Sequence, residues 1–333
     1  MTAPGELLSI IIPMFNAEAV IAATLDSIAR QKDIAAEVIV VDDVSADNSV
    51  QAVLEWHKSH PQLPLRVIRQ PQRGHTLRAR LTGLSAARGP DIMFVDADDR
   101  LMGERALAHI LSRKRQGAFD IAHFRSHFQG AARAEAFWTQ PMCERPLHGS
   151  EIFSTYAGMN FPPVLLWGKV YSASLLRKAA PVAEQVRIFR LEDVFFSSLL
   201  MLFARSYCPV DDYAYVYAYS DNWSPEKFAG RVHDLHVMRP VFTALFAERG
   251  VAPGDRQNFM AFLERRFAFN MNGLCRTMTG ELEGESRARE LLARLEPYLG
   301  GLPLISLLCP VLAQTAAKTG RVAKRIGDET DGE

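Results

Sequence analysis

The feature that most constrains the fold is an alternation of short apolar runs with amphipathic segments through the first third of the chain. The apolar runs cover residues 7–12, 37–41, 65–69 and 91–95. Continuous apolar runs of this length are typical of strands that are buried on both faces. The segments between them carry apolar residues at helical spacing. This order predicts βαβ units and an open, mostly parallel sheet, which is an α/β fold.

Local signals mark the elements of this fold. Asn16 is a residue type that favours helix N-caps, and residues 17–31 carry one apolar stripe, so we expect Asn16 to cap a helix there. Turn residues at 45–48 introduce a second helix, and the spacing in 77–84 predicts a third. Tyrosine alternates with other residues in 213–219, which predicts a strand with its tyrosines on one face, either packed or available to stack on a sugar.

Acidic residues follow two of the predicted strands. Asp42 and Asp43 end the second apolar run, and Asp96, Asp98 and Asp99 follow the fourth. In open α/β sheets, ligands bind outside the carboxyl ends of the strands. Both clusters are therefore candidate parts of one ligand site.

The spacing Asp96-x-Asp98-Asp99 suits a hard divalent cation. Mg²⁺ or Mn²⁺ binds one or two carboxylates together with phosphate oxygens, and such an ion would stabilise a leaving diphosphate. The alternative for this cluster is a solvated acidic turn. The alternative for Asp42-Asp43 is a helix cap that is stabilised by the helix dipole. Their positions at strand ends favour a metal site and a contact with a nucleotide.

Six segments between residues 7 and 220 carry a more specific pattern. They are Ser9–Asn16 (SIIIPMFN), Val38–Ser45 (VIVVDDVS), Ala79–Gly83 (ARLTG), Val95–Leu101 (VDADDRL), Leu166–Tyr171 (LWGKVY) and Leu191–Phe195 (LEDVF). In this order, the segments resemble the motifs of the family-2 inverting glycosyltransferases of the GT-A fold. The last two are similar to segments that are common in bacterial surface-polysaccharide members. Leu81 departs from the pattern, because the family often has Asn at that position.

The resemblance implies a nucleotide pocket at the first two motifs. Pro13, Phe15 and Asn16 would line this pocket. Asp43 would contact the base, with Asp42 nearby.

The resemblance also implies a site for the diphosphate and its cation. Arg80 would lie beside the nucleotide or the diphosphate. Asp98 would be the principal ligand of Mn²⁺ or Mg²⁺, and Asp96 would approach the ribose or the metal. Asp99 would lie beside the donor sugar.

The Glu192-Asp193 pair matches the position of the family's general base. Inverting transfer is an in-line displacement, so a base must deprotonate the acceptor hydroxyl on the face opposite the leaving diphosphate. Asp193 would be this base. Glu192 would orient Asp193, bind the acceptor or serve as the base itself. Without the resemblance, the pair also reads as an acidic helix start.

The resemblance implies a donor and a class of acceptor. The donor would be a nucleotide-sugar, with UDP expected from family frequency alone. The acceptor would be a hydroxyl of a growing surface glycan or of a lipid-linked intermediate.

Two other functions remain open at this stage. A nucleotidyltransferase would share the sheet and the acidic pair, but residues 13–17 lack the glycine-rich basic loop that holds a triphosphate. A non-catalytic module that binds a nucleotide-sugar would keep the site without turnover. The presence of every acidic residue, Asp193 included, argues against this second alternative.

Charge and hydropathy limit the partners. The 333 residues contain 38 Lys and Arg and 38 Asp and Glu, so no global field favours nucleic acid. Residues 1–6 lack the pattern of a secretory signal, which predicts a cytoplasmic protein. Residues 301–317 are apolar and precede a basic cluster, so they would contact the inner membrane surface or pack on the protein.

The second half of the chain predicts a change of architecture. From about residue 227 the apolar spacing is helical. We therefore predict a GT-A catalytic domain at 1–225, a helical region at 226–326 and a disordered tail at 327–333. The helical region would close over the acceptor, contact a membrane or form a homo-oligomer.

Overall fold

The computed structural model describes residues 6–129, 141–218 and 224–281, together with 294, 295 and 298. In chain order, the elements are β1 (Leu7–Met14), α1 (Ile21–Ala29), β2 (Ala35–Asp42), α2 (Ser49–Ser59), β3 (Leu65–Arg69), α3 (His75–Ala86), β4 (Asp91–Phe94), β5 (Arg100–Leu101), α4 (Ala106–Gln116), β6 (Ile121–Gln129), β7 (Leu147–His148), α5 (Ser150–Gly158), β8 (Lys169–Ser172), α6 (Ala173–Glu184), α7 (Glu192–Phe203), β9 (Ser206–Ala218), α8 (Pro225–Glu248) and α9 (Pro253–Glu281).

The strands of the described residues form one sheet in the order β3-β2-β1-β4-β8-β6-β9-β5, with β7 paired to β9. β1 pairs in parallel with β2 and β4, and β2 pairs in parallel with β3. β8 lies antiparallel between β4 and β6, while β6 and β9 are parallel. The predicted α/β fold with its parallel βαβ units is therefore confirmed, and the strands beyond β4 are mixed in direction.

The parallel half is built as its apolar runs predict. Ile10, Ile11 and Ile12 are fully buried in β1, because side chains of both faces lie under helices. Helix α3 approaches the sheet closely at Gly83, where an added Cβ would lie 2.4 Å from Cγ2 of Ile11. A glycine at this position allows α3 to pack directly over β1.

The prediction that Asn16 caps helix α1 is wrong. Helix α1 begins at Ile21, and its N-cap residue is Val20. Asn16 has a φ of 50°, and its side-chain oxygen accepts a hydrogen bond from the N–H of Ala46 at 2.9 Å. Asparagine tolerates this left-handed conformation because its short polar side chain bonds to nearby backbone. Asn16 therefore joins the loop after β1 to the loop after β2.

The predicted strand at the alternating tyrosines is confirmed as part of β9. Tyr215 is fully buried, and Tyr213 is 41% exposed. Trp167 stacks on Tyr215 and on Tyr217, with ring centroids 5.0 and 4.9 Å apart. Packing thus accounts for the inner tyrosines, while Tyr219 lies outside the described residues.

Contacts between Cα atoms divide the chain into two compact units. One contains Met1–Asp221 and Phe246–Phe259, and the other contains Asn222–Leu245 and Met260–Glu333. In the second unit, Phe228, Ala229, Val232, Leu274 and Leu295 form a small buried cluster. The predicted boundary near residue 225 and the role of the helical region stay predictions.

Two further predictions concern the end of the chain and the membrane. The apolar segment 301–317 and the tail 327–333 lie outside the described residues. Among the residues that are described, none of the helices has the length and apolar character needed to cross a membrane. Peripheral membrane contact, cytoplasmic location and oligomer formation stay predictions.

Candidate active site

A cavity of about 430 Å³ lies where β1, β2 and β4 end, and we call it the acidic cavity. It is lined by Pro13, Met14, Phe15, Asn16, Ala17, Val20, Asp43, Thr76, Ala79, Arg80, Asp96, Ala97, Asp98, Glu192, Asp193, Tyr217 and Ala218. The carboxyl ends of neighbouring parallel strands meet at one edge of the sheet, so the loops after them share this space. The structure thus brings together nine of the eleven residues that the sequence singled out.

Arg80 is the buried cation around which three carboxylates of the acidic cavity lie. Its side chain is 1% exposed, and its guanidinium donates to Asp96 at 2.8 Å and to Asp193 at 2.7 Å. Glu192 lies 3.6 Å from the same guanidinium. One buried cation therefore joins the loop after β4 to the start of α7, and it partly offsets the repulsion among three carboxylates.

Burial changes the acidity of the Glu192-Asp193 pair. Desolvation raises the pKa of Asp193, while the Arg80 guanidinium opposes the rise. Desolvation also raises the pKa of Glu192, and the neighbouring charge of Asp193 adds to it. The two carboxyls titrate as a coupled pair, so the upper pKa lies above the usual range of a carboxylic acid. A carboxylate of raised pKa is a stronger base than one in water, which suits proton abstraction.

Asp43 shapes the other end of the acidic cavity. Its carboxylate accepts hydrogen bonds from the side chain of Gln70 at 2.7 Å and from the N–H groups of Gly74 and His75 at 2.6 and 2.9 Å. These bonds hold the loop that leads into α3. The nearby ring of Phe15 is 38% exposed and presents an aromatic face beside this carboxylate.

Asp42 does not line the acidic cavity. Its carboxylate is fully buried, accepts from the N–H of Ser45 at 3.2 Å and lies 3.2 Å from Nε of Arg69. Asp42 is the last residue of β2 and Asp43 is the first residue after it, and only Asp43 lines the acidic cavity. The structure thus gives Asp42 a place in the turn after β2 and does not bring it to the nucleotide pocket that the sequence predicted.

Asp99 is also directed away from the acidic cavity. It is fully buried, accepts from the hydroxyl of Tyr215 and from the N–H of Ala218 at 2.8 Å, and so ties the acidic loop to β9. Burial raises the pKa of Asp99 to about 8, and the charge of Asp96 adds to the rise. Asp99 does not line the acidic cavity, and its place beside the donor sugar stays a prediction. Its hydrogen bonds position the loop 96–99.

Asp96 and Asp98 are the carboxylates of the acidic loop that reach the acidic cavity. Desolvation raises the pKa of Asp98, and the neighbouring charge of Asp96 contributes. Among the described residues, no group of three or more His, Cys, Asp or Glu side chains is arranged to hold a metal ion by itself. Two carboxylates that repel each other fit a cation that takes its remaining ligands from a bound diphosphate and water.

Several residues that shape this region are not among the predicted site residues. Tyr217 and Thr76 line the acidic cavity, and Tyr215 accepts a hydrogen bond from the N–H of Asp96 at 3.1 Å. Lys169 is buried, donates to the carbonyl of Leu165 and has a pKa lowered by burial to about 7, although the charge of Asp193 opposes this. The alternation of tyrosines was the available signal for Tyr215 and Tyr217. Lys169 lies within the Leu166–Tyr171 motif, but nothing in the sequence indicates that its side chain is buried.

Comparison with known proteins is consistent with this geometry. Residues 9–180 match the glycosyl transferase family 2 domain. The chain belongs to this family. The match begins in β1 and includes α3 and the whole acidic loop, so most of the acidic cavity lies within the matched residues.

One curated relative aligns along most of the chain. A poly(ribitol-phosphate) beta-glucosyltransferase of Bacillus spizizenii is 24% identical over 309 residues, which cover 89% of this chain and 45% of that protein. The chain spans between 26% and 45% of the length of this and two other curated relatives.

Solved structures share the fold of this family 2 chain. S. aureus TarS 1-349 in complex with UDP-GlcNAc superposes with a TM-score of 0.60 at 22% identity, covering 87% of this chain and 81% of that chain. Mannosyltransferase PcManGT from Pyrobaculum calidifontis, in complex with GDP-Man and Mn²⁺, has a TM-score of 0.53 at 19% identity and covers 98% and 88% of the two chains. The predicted GT-A fold is confirmed by these likenesses.

Proposed function

We propose that this family 2 protein is an inverting, metal-dependent glycosyltransferase that moves a sugar from a nucleotide-sugar to an acceptor hydroxyl. The observation that carries the proposal is the buried Arg80 guanidinium, which holds Asp96 and Asp193 together in one cavity. This contact supports the proposal, because one guanidinium binds both a candidate cation ligand and a candidate general base, and both carboxylates line the acidic cavity.

The donor's nucleotide would occupy the end of the acidic cavity that contains Phe15 and Asp43. The exposed face of Phe15 offers a stacking surface for a base, and Asp43 offers carboxylate oxygens to a base N–H or a ribose hydroxyl. UDP is the proposed nucleotide, in keeping with the UDP-GlcNAc bound to TarS. Pro13 and Asn16 would form the edge of this pocket.

Asp98, with Asp96 beside it, would hold Mn²⁺ or Mg²⁺ at the donor's diphosphate. When bound, the cation would neutralise the charge that develops on the leaving nucleoside diphosphate. Arg80 keeps Asp96 in position and is itself held by the buried ion pairs.

In the proposed reaction, Asp193 accepts the proton of the acceptor hydroxyl as the hydroxyl oxygen attacks the anomeric carbon. The new carbon–oxygen bond forms on the face opposite the leaving group, the bond from the anomeric carbon to the phosphate oxygen breaks, and the nucleoside diphosphate departs with the electron pair. Glu192, whose pKa is raised by burial and then by the charge of Asp193, would orient Asp193 or bind the acceptor.

The acceptor is proposed to be a surface glycan or a lipid-linked intermediate of bacterial polysaccharide synthesis. The support is the relative from Bacillus spizizenii, whose name gives poly(ribitol phosphate) as the glucosylated polymer.

The test is an assay of nucleoside diphosphate released from a panel of nucleotide-sugars with Mn²⁺, Mg²⁺ or EDTA. We expect slow, metal-dependent release from one donor, with a loss of about 10²-fold or more in Asp98→Ala because one ligand of the cation is removed. Asp211→Ala is the matched control, since Asp211 is 85% exposed on β9. If no donor binds and none is hydrolysed, the proposal is wrong. A donor that binds but never turns over with any acceptor supports a non-catalytic binding module instead.

A further inference from the structure

A second cavity, of about 510 Å³, lies between α3 and the loop that joins α6 to α7, and we call it the arginine-rimmed cavity. It is lined by Gln72, Arg73, Gly74, His75, Leu77, Arg78, Leu81, Ala183, Glu184, Gln185, Val186, Arg187 and Ile188. None of these residues lines the acidic cavity.

The two cavities use different faces of α3. Arg78 turns to the arginine-rimmed cavity with Leu77 and Leu81, whereas Arg80 turns to the acidic cavity with Ala79. A rotation of about 100° per residue separates these two sets around the helix. The two cavities therefore take their lining residues from different faces of this helix.

The rim of the second cavity carries three arginines that form no ion pair with a carboxylate of the described residues. Among the described residues, Arg73, Arg78 and Arg187 have no carboxylate within 4.0 Å, although Glu184 also lines the cavity. Arg78 donates to the carbonyl of Glu184 at 3.5 Å. Arg73 lies 3.8 Å from the ring centroid of Phe15.

The pKa of His75 is also affected by the positive charge at this rim. Its pKa is lowered, first by burial and next by the charge of Arg73, with Arg187 and Arg190 contributing in the same direction, while Asp43 opposes them. Guanidinium groups that converge without a carboxylate favour a planar or tetrahedral oxyanion, which they bind through paired N–H donors.

The floor of the cavity is apolar. Leu77, Leu81, Ala183 and Ile188 are each at most 5% exposed. A ligand that fits this arrangement has an anionic group at the rim and an uncharged portion against the floor. Phosphate esters and prenyl phosphates both have this form.

The cavity adjoins the acidic cavity, because Gly74 and His75, which line it, donate hydrogen bonds to Asp43. The loop that forms one of its walls runs directly into Glu192 and Asp193 at the start of α7. From Arg187 to Asp193, an extended chain would span at most about 20 Å, so the rim lies within that distance of the candidate base.

We propose that the arginine-rimmed cavity binds a phosphate group of the acceptor while the nucleotide-sugar occupies the acidic cavity. This identification of the ligand as an acceptor rests on the proposed glycosyl transfer, whereas the binding of a phosphate does not. The phosphate would belong to a lipid-linked acceptor or to a phosphate-containing polymer.

The experiment is a ³¹P NMR titration of the full chain with inorganic pyrophosphate at constant ionic strength, in EDTA, with and without saturating UDP. We expect pyrophosphate to bind equally well in both conditions. Arg78→Gln and Arg187→Gln should each weaken its binding about fivefold, and the double variant about 25-fold, as expected for partly exposed ion pairs that act independently. Arg113→Gln, an exposed arginine on α4, is the matched control and should bind as the unmodified chain does. Thermal unfolding of each variant verifies that it is folded.

Three outcomes would overturn the proposal: pyrophosphate does not bind, UDP displaces it, or the arginine variants bind it as tightly as the control. Geranyl diphosphate separates the two sources of the phosphate. Tighter binding than pyrophosphate indicates a lipid phosphate on the apolar floor, and equal binding indicates a polymer phosphate. The same titration follows UDP, so failure of the nucleotide to bind would count against the proposed function and leave the result for the second cavity distinct.

Discussion

The two sides of the acidic cavity are built in different ways. On the side of β1, β2 and β4, each strand leads directly into the residues that face the cavity, and neighbours in the sheet are brought together by regular parallel pairing. On the other side, the start of α7 and the end of β9 arrive from distant parts of the chain. Arg80 joins the sides, since its partners Asp96 and Asp193 are 16 and 113 residues away in sequence. The first side is a product of local order, and the second depends on contacts between residues that are far apart in sequence, with Arg80 holding the start of α7 and Tyr215 holding β9.

The largest effect is expected from removal of the Arg80 guanidinium, which joins the two sides of the acidic cavity. Arg80→Met would leave the carboxylates of Asp96 and Asp193 without a partner. We expect the free energy of unfolding to fall by about 2–4 kcal/mol, somewhat less than for a fully buried pair because both carboxylates are partly exposed. Transferase activity should be abolished. Urea denaturation and the nucleotide-release assay measure the two effects.

Arg78→Met is the control for that variant, because Arg78 lies on another face of the same helix and is exposed. It should change the free energy of unfolding by no more than about 0.5 kcal/mol. Acid provides a further check, since protonation of the carboxylates should restore part of the stability of Arg80→Met. Equal stability of the two variants would show that the ionic contact does not hold the sides together.

The next largest effect is on the turnover rate, and it concerns the two carboxylates at the start of α7. Asp193→Asn should lower kcat by about 10³-fold, in the range that a general base contributes, while donor binding is retained. Glu192→Gln should cost less. It should also move the acid limb of the pH–rate profile to lower pH, because the raised upper pKa belongs to the coupled pair.

The sign of the pH effect follows from the raised pKa values. The base must be ionised, so activity of the unmodified chain should fall as the pH drops through a pKa that lies above the usual carboxylic range. If Glu192→Gln loses the greater activity and Asp193→Asn retains most of it, Glu192 is the base and our assignment is reversed.

A smaller effect tests how β9 supports the loop 96–99. Tyr215→Phe removes the hydroxyl that donates to Asp99 and accepts from the N–H of Asp96. We expect a loss of about 1–2 kcal/mol of unfolding free energy, as for a buried hydrogen bond that is left unmade, and about tenfold weaker activation by Mn²⁺. Tyr213→Phe on the same strand, where the side chain is 41% exposed, should behave as the unmodified chain does. An unchanged metal dependence in Tyr215→Phe would show that the loop 96–99 does not need this support.

Much of the side of the acidic cavity that β1, β2 and β4 form could be predicted from sequence. The apolar runs located β1 to β4, and the acidic residues after β2 and β4 located the acidic cavity, because both depend on short stretches of chain. Asn16 was misassigned as a helix cap, since the same side chain also satisfies a left-handed turn. Asp42 and Asp99 were placed in the site by their neighbours in sequence, but each turns its carboxylate into buried hydrogen bonds.

The sequence by itself determined the α/β class, the parallel strands, the family resemblance and the position of the acidic clusters, since periodicity and motif spacing are local properties. Only the tertiary structure decided which carboxylates face the acidic cavity, that Arg80 holds Asp96 and Asp193 together, and that three arginines converge on a second cavity. The physical reason is that the direction of a side chain, its loss of solvent and its charged neighbours are set by residues far along the chain. Those contacts exist only once the sheet and its helices have packed.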